Sequence, residues 1–287
     1  MNEVVYLNGS LVPLDRAKIS VLDYGFLYGY GLFETMRAYG GKVFLLDKHL
    51  ERLDNSLEML GIKTEGLSLK YAVMDTIRAN KLTDARVRIA VSVGEGGTVP
   101  DPASCGEPTV LVVATAYKPY PDEVYEKGFR AVISSIRRNS QSPVSTLKSA
   151  NYLDSLLARQ EARKAGVDEA LLLNDKGLLA EASMSNIFLL SGGALKTPRV
   201  ESGILPGITR EAVLEIAAKS GIGSTETNIT QGELNNAQEA FLTNSVMEIM
   251  PLVEVDGMAI GSGSPGPVTR GLMAAYRELV VSTTSGQ

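Results

Sequence analysis

Two prolines close together divide this chain into two parts. They lie in Tyr117-Lys-Pro-Tyr-Pro-Asp122. Because proline fixes its φ angle and lacks a backbone N–H, neither a helix interior nor a central strand runs easily through such a segment. A chain of 287 residues can bury one large core or two modest ones. We therefore expect a small domain over residues 1–118, a linker over residues 119–128 and a larger domain over residues 129–287.

The first part predicts both strands and helices. Asn8-Gly9 stands between two apolar runs, which is a strong signal for a tight β-hairpin. Leucines at helical spacing around His49 predict a helix from about residue 46 to residue 60. Further runs predict a helix over residues 69–80 and strands over residues 85–93 and 109–116.

The second part has a similar mixture. We expect a strand near residues 130–136, a helix that begins near Lys148, and a hairpin that turns at Asn174-Asp-Lys-Gly177. A helix after Gly207, a strand over residues 239–243 and a final helix near residues 268–281 follow. The order of elements indicates an α+β fold, with no internal repeat.

Composition and charge exclude several classes of function. The chain is 44% hydrophobic and 21% charged, which is ordinary for a globular protein and unlike a disordered one. A net charge of -5 without a basic cluster argues against nucleic acid and against an anionic membrane surface. No apolar run approaches the length of a membrane span, and the N-terminal residues lack the pattern of a secretory signal. We therefore expect a cytoplasmic protein.

Single copies of two residue types narrow the chemistry further. Cys105 is the only cysteine and His49 the only histidine, so neither an intrachain disulfide nor a cysteine or two-histidine metal site can form. No metal is expected. A serine hydrolase triad would have to use His49, but its place in an amphipathic helix favours a packing or capping role. Cys105 lies in a loop bounded by prolines and is expected to be unreactive.

Lys148 is the most informative residue for function. It precedes a run, Thr146 to Ala162, in which Leu153, Leu156 and Leu157 recur at helical spacing. We interpret these leucines as the buried face of a helix, with Lys148 in its first turn. The positive end of a helix and partial burial both disfavour a charged ammonium. A neutral amine is what a Schiff base with an aldehyde cofactor requires.

Four other segments supply complementary chemistry. Glu181 lies in a strand-like run from Gly177 to Leu190 and, if buried, needs a partner. Gly207 opens a helix, so the N–H groups of Ile208 and Thr209 can bind a phosphate, and Arg52 can add a bidentate contact. Thr243-Asn-Ser245 offers hydroxyls and the Asn244 amide in a turn. An amine, a carboxylate and a phosphate cradle together indicate a site for pyridoxal 5'-phosphate.

The sequence resembles the class IV aminotransferases, which are fold-type IV pyridoxal phosphate enzymes. Six segments carry the resemblance in the family's order and nearly from end to end: Gly31-Leu-Phe-Glu-Thr35, the His49 run with Arg52 and Leu53, the Lys148 run with Asn151, Tyr152 and Leu153, the Glu181 run with Asn186, Ile187 and Phe188, Leu205-Pro-Gly-Ile-Thr-Arg210 and Glu248-Ile-Met-Pro251. Such a fold has a small N-terminal α/β sandwich and a larger, β-barrel-like C-terminal domain with helices. The resemblance also implies a homodimer.

The resemblance assigns roles to individual residues. Lys148 forms the Schiff base and then moves the proton of the substrate α carbon, while Glu181 keeps the pyridine nitrogen protonated. The remaining implied cofactor contacts are Arg52, Ile208, Thr209 and Ser245 at the phosphate, with Asn244 beside them, Tyr152 at the ring hydroxyl and Leu205 on the ring face.

The substrate carboxylate has two candidate partners. Arg86 and Arg88 alternate on a predicted strand, so they share one face; a solvated arginine stripe would have the same pattern. Tyr28, Tyr30 and Phe33 are candidates for an apolar side-chain pocket, or for ordinary core aromatics. Branched-chain aminotransferases of this family usually carry tyrosine where Arg86 stands, whereas Arg88 fits their pattern.

Several activities of the family stay open. Aminodeoxychorismate lyases share the Arg138 to Pro143 approach to the lysine, the two residues between Lys148 and Asn151, and Asn244-Ser-Val-Met247, but they differ after Ser92. The arginine and histidine set of D-amino acid aminotransferases is not evident over residues 85–100. The preferred hypothesis is transamination between aliphatic, branched-chain-like L-amino acids and a 2-oxo acid such as 2-oxoglutarate. The alternatives are the lyase, which serves 4-aminobenzoate synthesis, and a D-amino acid or (R)-amine transaminase. A non-catalytic relative is disfavoured because Lys148 and Glu181 are both present.

Overall fold

The chain forms two compact units. The computed structural model describes residues 3–64 and 66–285. The first unit contains the chain up to Lys118, residues 147–151 and the chain from Val280; the second contains residues 119–146 and 152–279. Residues 147–151 and those from Val280 therefore belong to the first unit, although the sequence placed them in the larger domain. The predicted linker over residues 119–128 belongs to the second unit. The predicted outer limits, 1 and 287, lie outside the described residues.

The first unit is built on a six-stranded sheet. Its elements are β1 Val4–Leu7, β2 Ser10–Pro13, α1 Tyr24–Tyr28, β3 Gly31–Tyr39, β4 Lys42–Val43, α2 Leu46–Met59, α3 Leu69–Ala79, β5 Ala85–Ser92 and β6 Thr109–Ala116. The strand order is β2-β1-β6-β5-β3-β4. The predicted hairpin is confirmed, because Leu7 pairs with Ser10 and both Asn8 and Gly9 have positive φ angles.

The core of the first unit lies between one sheet face and two helices. Leu53 and Leu57 of α2 and Val73 of α3 belong to the same buried cluster as Val87 and Ile89 of β5. Along β5 the buried residues alternate with residues that are exposed or partly exposed. This alternation is typical of a strand with one face on a core and one face open.

The second unit contains a larger sheet, with β15 paired at its β14 strand. Its elements are α4 Asp122–Lys127, β7 Phe129–Arg138, α5 Leu153–Ala165, β8 Glu169–Asn174, β9 Leu179–Ala182, β10 Asn186–Ser191, β11 Ala194–Pro198, α6 Ile208–Lys219, β12 Ser224–Thr227, α7 Gln231–Asn235, β13 Glu239–Asn244, β14 Glu248–Val255, β15 Met258–Ala259 and α8 Pro267–Thr284, whose residues from Val280 count with the first unit. The order is β12-β11-β10-β13-β14-β7-β8-β9. Strands β8 and β9 are buried at every residue, including the polar Glu169, Asn174 and Glu181.

Two predictions about α5 are wrong. Helix α5 begins at Leu153, so Lys148 is not in its first turn. Leu153, Leu156 and Leu157 are 66%, 51% and 40% exposed, and the buried face consists of Ser155, Ala158 and Ala162. Small residues bring the helix close to the sheet: Ala158 and Ala162 cluster with Ala170 and Leu172.

The run from Gly177 to Leu190 is also not one strand. A turn at residues 183–185 separates β9 from β10. Within the part of the chain that the structure describes, no helix has both the length and the apolar character that crossing a membrane requires.

Candidate active site

Lys148 is held in an extended segment beside β3. The Phe33 N–H donates to the Lys148 carbonyl at 2.8 Å, and the Ala150 N–H donates to the Gly31 carbonyl at 2.8 Å. Leu32 and Ser149 form an antiparallel bridge between these two bonds. The Lys148 Nζ lies 4.8 Å from the centroid of the Phe33 ring. Strand pairing therefore positions this lysine, and the helix-end argument for a neutral amine does not apply to it.

A buried charged cluster lies on the helix-facing side of β3. The Glu34 carboxylate is 1% exposed and accepts from Arg52 at both oxygens, with Nε to Oε1 and Nη2 to Oε2 each 2.8 Å. His49 Nδ1 is 2.8 Å from Glu34 Oε2. Because a carboxylate only accepts, this nitrogen carries the proton. His49 has the packing role predicted for it, and Arg52, a predicted phosphate ligand, is bound to a carboxylate.

The cluster shifts two pKa values. Burial acts to raise the pKa of Glu34, but the Arg52 charge and the bonds from His49 and Arg52 outweigh it and lower the pKa to about 2. Burial lowers the pKa of His49, more than the bond to Glu34 raises it, and the charges of Arg52 and Lys148 lower it further. Glu34 is thus ionised and His49 neutral at pH 7.

The other face of the same sheet carries the predicted arginines. Ala85, Val87 and Ile89 face the core, so Arg86 and Arg88 share the open face, as predicted. The Arg88 Cζ lies 3.8 Å from the centroid of the Phe33 ring, a distance typical of cation–π stacking.

Arg88 and Phe33 line a cavity of about 350 Å³. Its other lining residues include Ile19, Val21, Phe26, Leu32, Ala90, Val91 and Leu111, and its polar ones include Ser20, Asp23, Ser92 and Thr109. Both oxygens of Asp23 are occupied, since Oδ1 accepts from the Gly25 N–H at 2.7 Å and Oδ2 accepts from the Ser92 and Thr109 hydroxyls at 2.8 and 2.6 Å. The cavity therefore has a largely apolar wall, and Arg88 is the one cationic side chain among the described residues that line it.

The other predicted substrate residues lie elsewhere in the first unit. Arg86 is exposed and pairs across the sheet with Arg37. Tyr28 is 48% exposed on α1, edge-on to Tyr24 with centroids 4.8 Å apart. Tyr30 packs against the unit's core and its hydroxyl donates to the Leu60 carbonyl at 3.0 Å. Tyr30 fits the core alternative, because its hydroxyl finds its acceptor on the helical side.

The second unit holds Glu181 in a network of donors. The carboxylate is 2.9 Å from Arg138 Nη2, and its Oε2 accepts from the Leu205 N–H at 3.1 Å and from Asn186 Nδ2 at 3.4 Å. Arg138 also donates to the carbonyls of Gly203 at 3.1 Å and Ser145 at 2.6 Å. The buried acid therefore has the partner that the sequence required. The sequence reasoning missed that this partner is Arg138.

The same network reaches the beginning of α6. Asn186 Nδ2 donates to the Leu205 carbonyl at 2.9 Å, and a Cβ added at Gly207 would lie 2.0 Å from Asn186 Oδ1. Gly207 is the N-cap and makes no side-chain capping bond. Ile208 and Thr209 follow as the first two helical residues, as predicted. This helix start favours an anion, because its first N–H groups have no acceptor within the helix.

Further polar side chains of the second unit lie at the end of β13, before β10 and before α5. Asn244 Oδ1 accepts from the N–H groups of Val246 and Met247 at 3.0 and 2.7 Å, which fixes the turn that contains Ser245. The buried hydroxyls of Ser185 and Thr243 make no hydrogen bond to the described residues.

The Tyr152 hydroxyl donates to the Ser183 carbonyl at 3.2 Å. Burial, and then the charges of Glu181 and Glu169, raise the pKa of Tyr152 to about 12, so it stays protonated.

Sequence and structure comparisons identify relatives along nearly the whole chain. The family model "Amino-transferase class IV" matches residues 31–255. A Methanocaldococcus jannaschii protein named as a candidate branched-chain-amino-acid aminotransferase is 42% identical over 96% of each chain. The Bacillus subtilis aminodeoxychorismate lyase is 34% identical over 96% of this chain and 94% of that protein.

A solved structure agrees with these relatives. The branched-chain aminotransferase of the thermophilic archaeon Thermoproteus uzoniensis, solved with norvaline, superposes with a TM-score of 0.91 at 36% identity, covering 99% of this chain and 96% of that one. The predicted α+β, fold-type IV class is thereby confirmed. With the family model matching most of its length, this chain belongs to the class IV aminotransferase family.

Proposed function

We propose that this aminotransferase moves the amino group of aliphatic, branched-chain-like L-amino acids to a 2-oxo acid such as 2-oxoglutarate, with pyridoxal 5'-phosphate as cofactor. The observation that carries the substrate class is the cavity in the first unit. Its wall is formed largely by aliphatic and aromatic side chains, with Arg88 among the lining residues. An apolar wall suits a branched side chain, and a guanidinium suits a carboxylate.

The residues present fit the cofactor. In the second unit, the start of α6 has no side-chain cap, and the space beside Gly207 excludes even a methyl group. The Glu181 carboxylate is buried and held by Arg138, and the hydroxyls of Ser185 and Thr243 lack partners among the described residues. A phosphate, a pyridine nitrogen and further acceptors would satisfy these groups. When bound, the cofactor supplies an electron sink for the bond that breaks at the substrate α carbon.

The chain's own residues do the remaining work. Lys148 Nζ would be the group that binds the cofactor covalently, and its amine would then carry the proton removed from the substrate α carbon. Glu181 would hold the proton at the pyridine nitrogen, and the bond from Arg138 fixes the position of that carboxylate. The N–H groups of Ile208 and Thr209 bind the phosphate, together with Arg52, Ser245 and the turn at Asn244. The Tyr152 hydroxyl has a single proton, which the Ser183 carbonyl accepts in this structure; with the cofactor bound, it would donate to the ring oxygen instead, and Leu205 would pack on the ring.

The choice of substrate decides the activity, so a substrate panel is the direct test. L-valine, L-leucine, D-alanine and (R)-phenylethylamine are each offered with 2-oxoglutarate and glutamate is measured; aminodeoxychorismate is offered alone and 4-aminobenzoate is measured. We expect L-valine and L-leucine to be the best donors, and Lys148→Ala to be inactive on all substrates. Borohydride should remove the cofactor's absorption band in the wild type and leave the cofactor covalently attached to Lys148.

One second candidate has specific support. The B. subtilis lyase matches at 34% identity over nearly the full length, and the sequence from Arg138 to Pro143 is lyase-like. Activity confined to aminodeoxychorismate would establish the lyase and contradict transamination. Preference for D-alanine or (R)-phenylethylamine would instead assign the opposite stereochemistry.

We also propose that the enzyme works as a homodimer in the cytoplasm. Val21 and Phe26 are 73% and 76% exposed, and Leu153 is 66% exposed; large apolar side chains at such exposure favour association. Sedimentation of the purified chain tests the dimer, and a monomer at micromolar concentration with full activity would contradict it.

A further inference from the structure

We propose that Glu34 is a positioning residue, whose carboxylate fixes the orientation of the Arg52 guanidinium toward the cofactor phosphate. The inference rests on the phosphate-binding role of Arg52 in the proposed function. Glu34 lies on β3 and Arg52 on α2, so the contact ties a strand to a helix. Neither the substrate nor the cofactor needs to touch Glu34 for this role.

The geometry of the pair restricts Arg52. The Glu34 oxygens accept from Nε and Nη2, each at 2.8 Å, so one edge of the guanidinium plane is held by two parallel bonds. Such a bidentate contact fixes both the position and the plane of the group. A single point contact would allow the guanidinium to rotate. The two bonds therefore hold the plane of the Arg52 guanidinium in one orientation.

His49 restrains the carboxylate in turn. Its Nδ1 lies 2.8 Å from Glu34 Oε2, and both side chains are 1% exposed. Because His49 is neutral, the cluster contains one negative and one positive charge, and its net charge is zero. The orientation of the guanidinium is therefore the property that we attribute to the contacts of Glu34 and His49.

Stability alone does not explain such a cluster. Burying an ion pair removes both charges from water, and well-packed apolar residues often stabilise a fold equally well. A polar cluster under β3 that includes a predicted phosphate ligand is better explained by orientation. The test must therefore separate loss of orientation from general loosening of the fold.

The measurement is a ratio of two affinities. The full-length enzyme is freed of cofactor, and dissociation constants are determined for pyridoxal 5'-phosphate and for pyridoxal, which lacks the phosphate. General loosening weakens both ligands alike and leaves the ratio unchanged. In Glu34→Gln the amide can accept from Arg52 at one atom only. We call the dissociation constant of pyridoxal divided by that of pyridoxal 5'-phosphate the phosphate discrimination. We expect it to fall about tenfold, the scale of one charge-assisted hydrogen bond.

Two further variants serve as controls for Glu34→Gln. Glu34→Asp keeps the charge and should recover part of the discrimination. Glu51→Gln removes an exposed carboxylate on the same helix and should leave the ratio at the wild-type value. The chain has one histidine, so the imidazole NMR signals of His49 report, without assignment, whether each variant keeps the buried environment.

Each outcome decides the inference. If Arg52→Ala loses phosphate discrimination while Glu34→Gln keeps it, Arg52 acts without Glu34 and the proposal is overturned. If neither variant changes the ratio, Arg52 does not bind the phosphate, and the proposal fails while the substrate panel still judges the proposed activity. If Glu34→Gln does not fold, Arg52→Lys decides: it keeps the charge without the bidentate fork, and undiminished discrimination would refute positioning.

Discussion

Replacing Arg138 by methionine should destabilise the second unit strongly. The change removes the ion pair with Glu181 at 2.9 Å and two donors to the carbonyls of Gly203 and Ser145. Breaking a buried pair by removing one partner costs about 3–5 kcal/mol, because the other charge stays buried. Here the Arg138 and Glu181 side chains are 17% and 11% exposed, so water reaches part of the pair. We expect a loss near the lower end, about 3 kcal/mol.

The assay is urea unfolding of the cofactor-free chain, compared with Glu181→Gln and with the double variant. Once Glu181 is neutral, Arg138→Met leaves no buried charge behind. Its cost should then fall to about 1–2 kcal/mol, the scale of the two lost carbonyl bonds. An equal cost in both backgrounds would show that the ion pair contributes nothing. A cost below about 0.5 kcal/mol in the wild-type background would refute the whole argument.

Three further predictions follow from the same structure. The low pKa of Glu34, about 2, supplies stability that is fully present above pH 4.5 and is lost as the pH falls toward 2. Because the pKa of His49 is lowered, the free energy of unfolding should begin to fall below pH 6.5. Urea unfolding between pH 7 and pH 4 should show this fall, at most about 1.4 kcal/mol per pH unit for each group, and a free energy of unfolding that does not change with pH would contradict the cluster. Gly207→Ala should lower the free energy of unfolding by about 1–3 kcal/mol, because the added methyl group overlaps Asn186, and it should weaken cofactor binding. Adding Asn186→Ala to the same chain should relieve the overlap. A double-mutant cycle that shows no coupling between the two changes would contradict this prediction. Arg88→Leu should raise the KM for L-leucine and for 2-oxoglutarate. It should leave the KM for (R)-phenylethylamine nearly unchanged, because that amine has no carboxylate. An equal rise in the KM for both donors would assign Arg88 a structural role.

Local sequence signals were sufficient where local physics decides the structure. Asn8-Gly9 favours a tight turn, and the leucines around His49 predicted α2 to within a residue of its ends. The alternation of β5 placed Arg86 and Arg88 on one face. The start of α6 after Gly207 was also predicted from its local pattern. The roles of Lys148 and Glu181 stay predictions, and the helix turn and the single strand expected around them were not found.

Long-range contacts were beyond these signals. The three leucines of α5 have the right spacing for a core face, yet small residues are buried because they allow close packing on β8. Lys148 is held by backbone pairing with β3, which its neighbours in sequence do not reveal. For the same reason neither Arg138 beside Glu181 nor Glu34 beside Arg52 was predicted: each pair is distant in sequence, and only the folded chain brings its members together.

The bonds that join Glu181, Asn186, Leu205 and Gly207 also have a genetic consequence. The Leu205 N–H and the Asn186 amide both reach Glu181, and Asn186 in turn fills the space beside Gly207. The positions of the Glu181 carboxylate and of the start of α6 therefore depend on each other, and a substitution at one of them should disturb the other. In a selection for growth without branched-chain amino acids, suppressors of a damaged Gly207 should arise at Asn186. The cavity that Phe33 and Arg88 line shares none of these bonds, so we expect no suppressors of a damaged Gly207 to arise there.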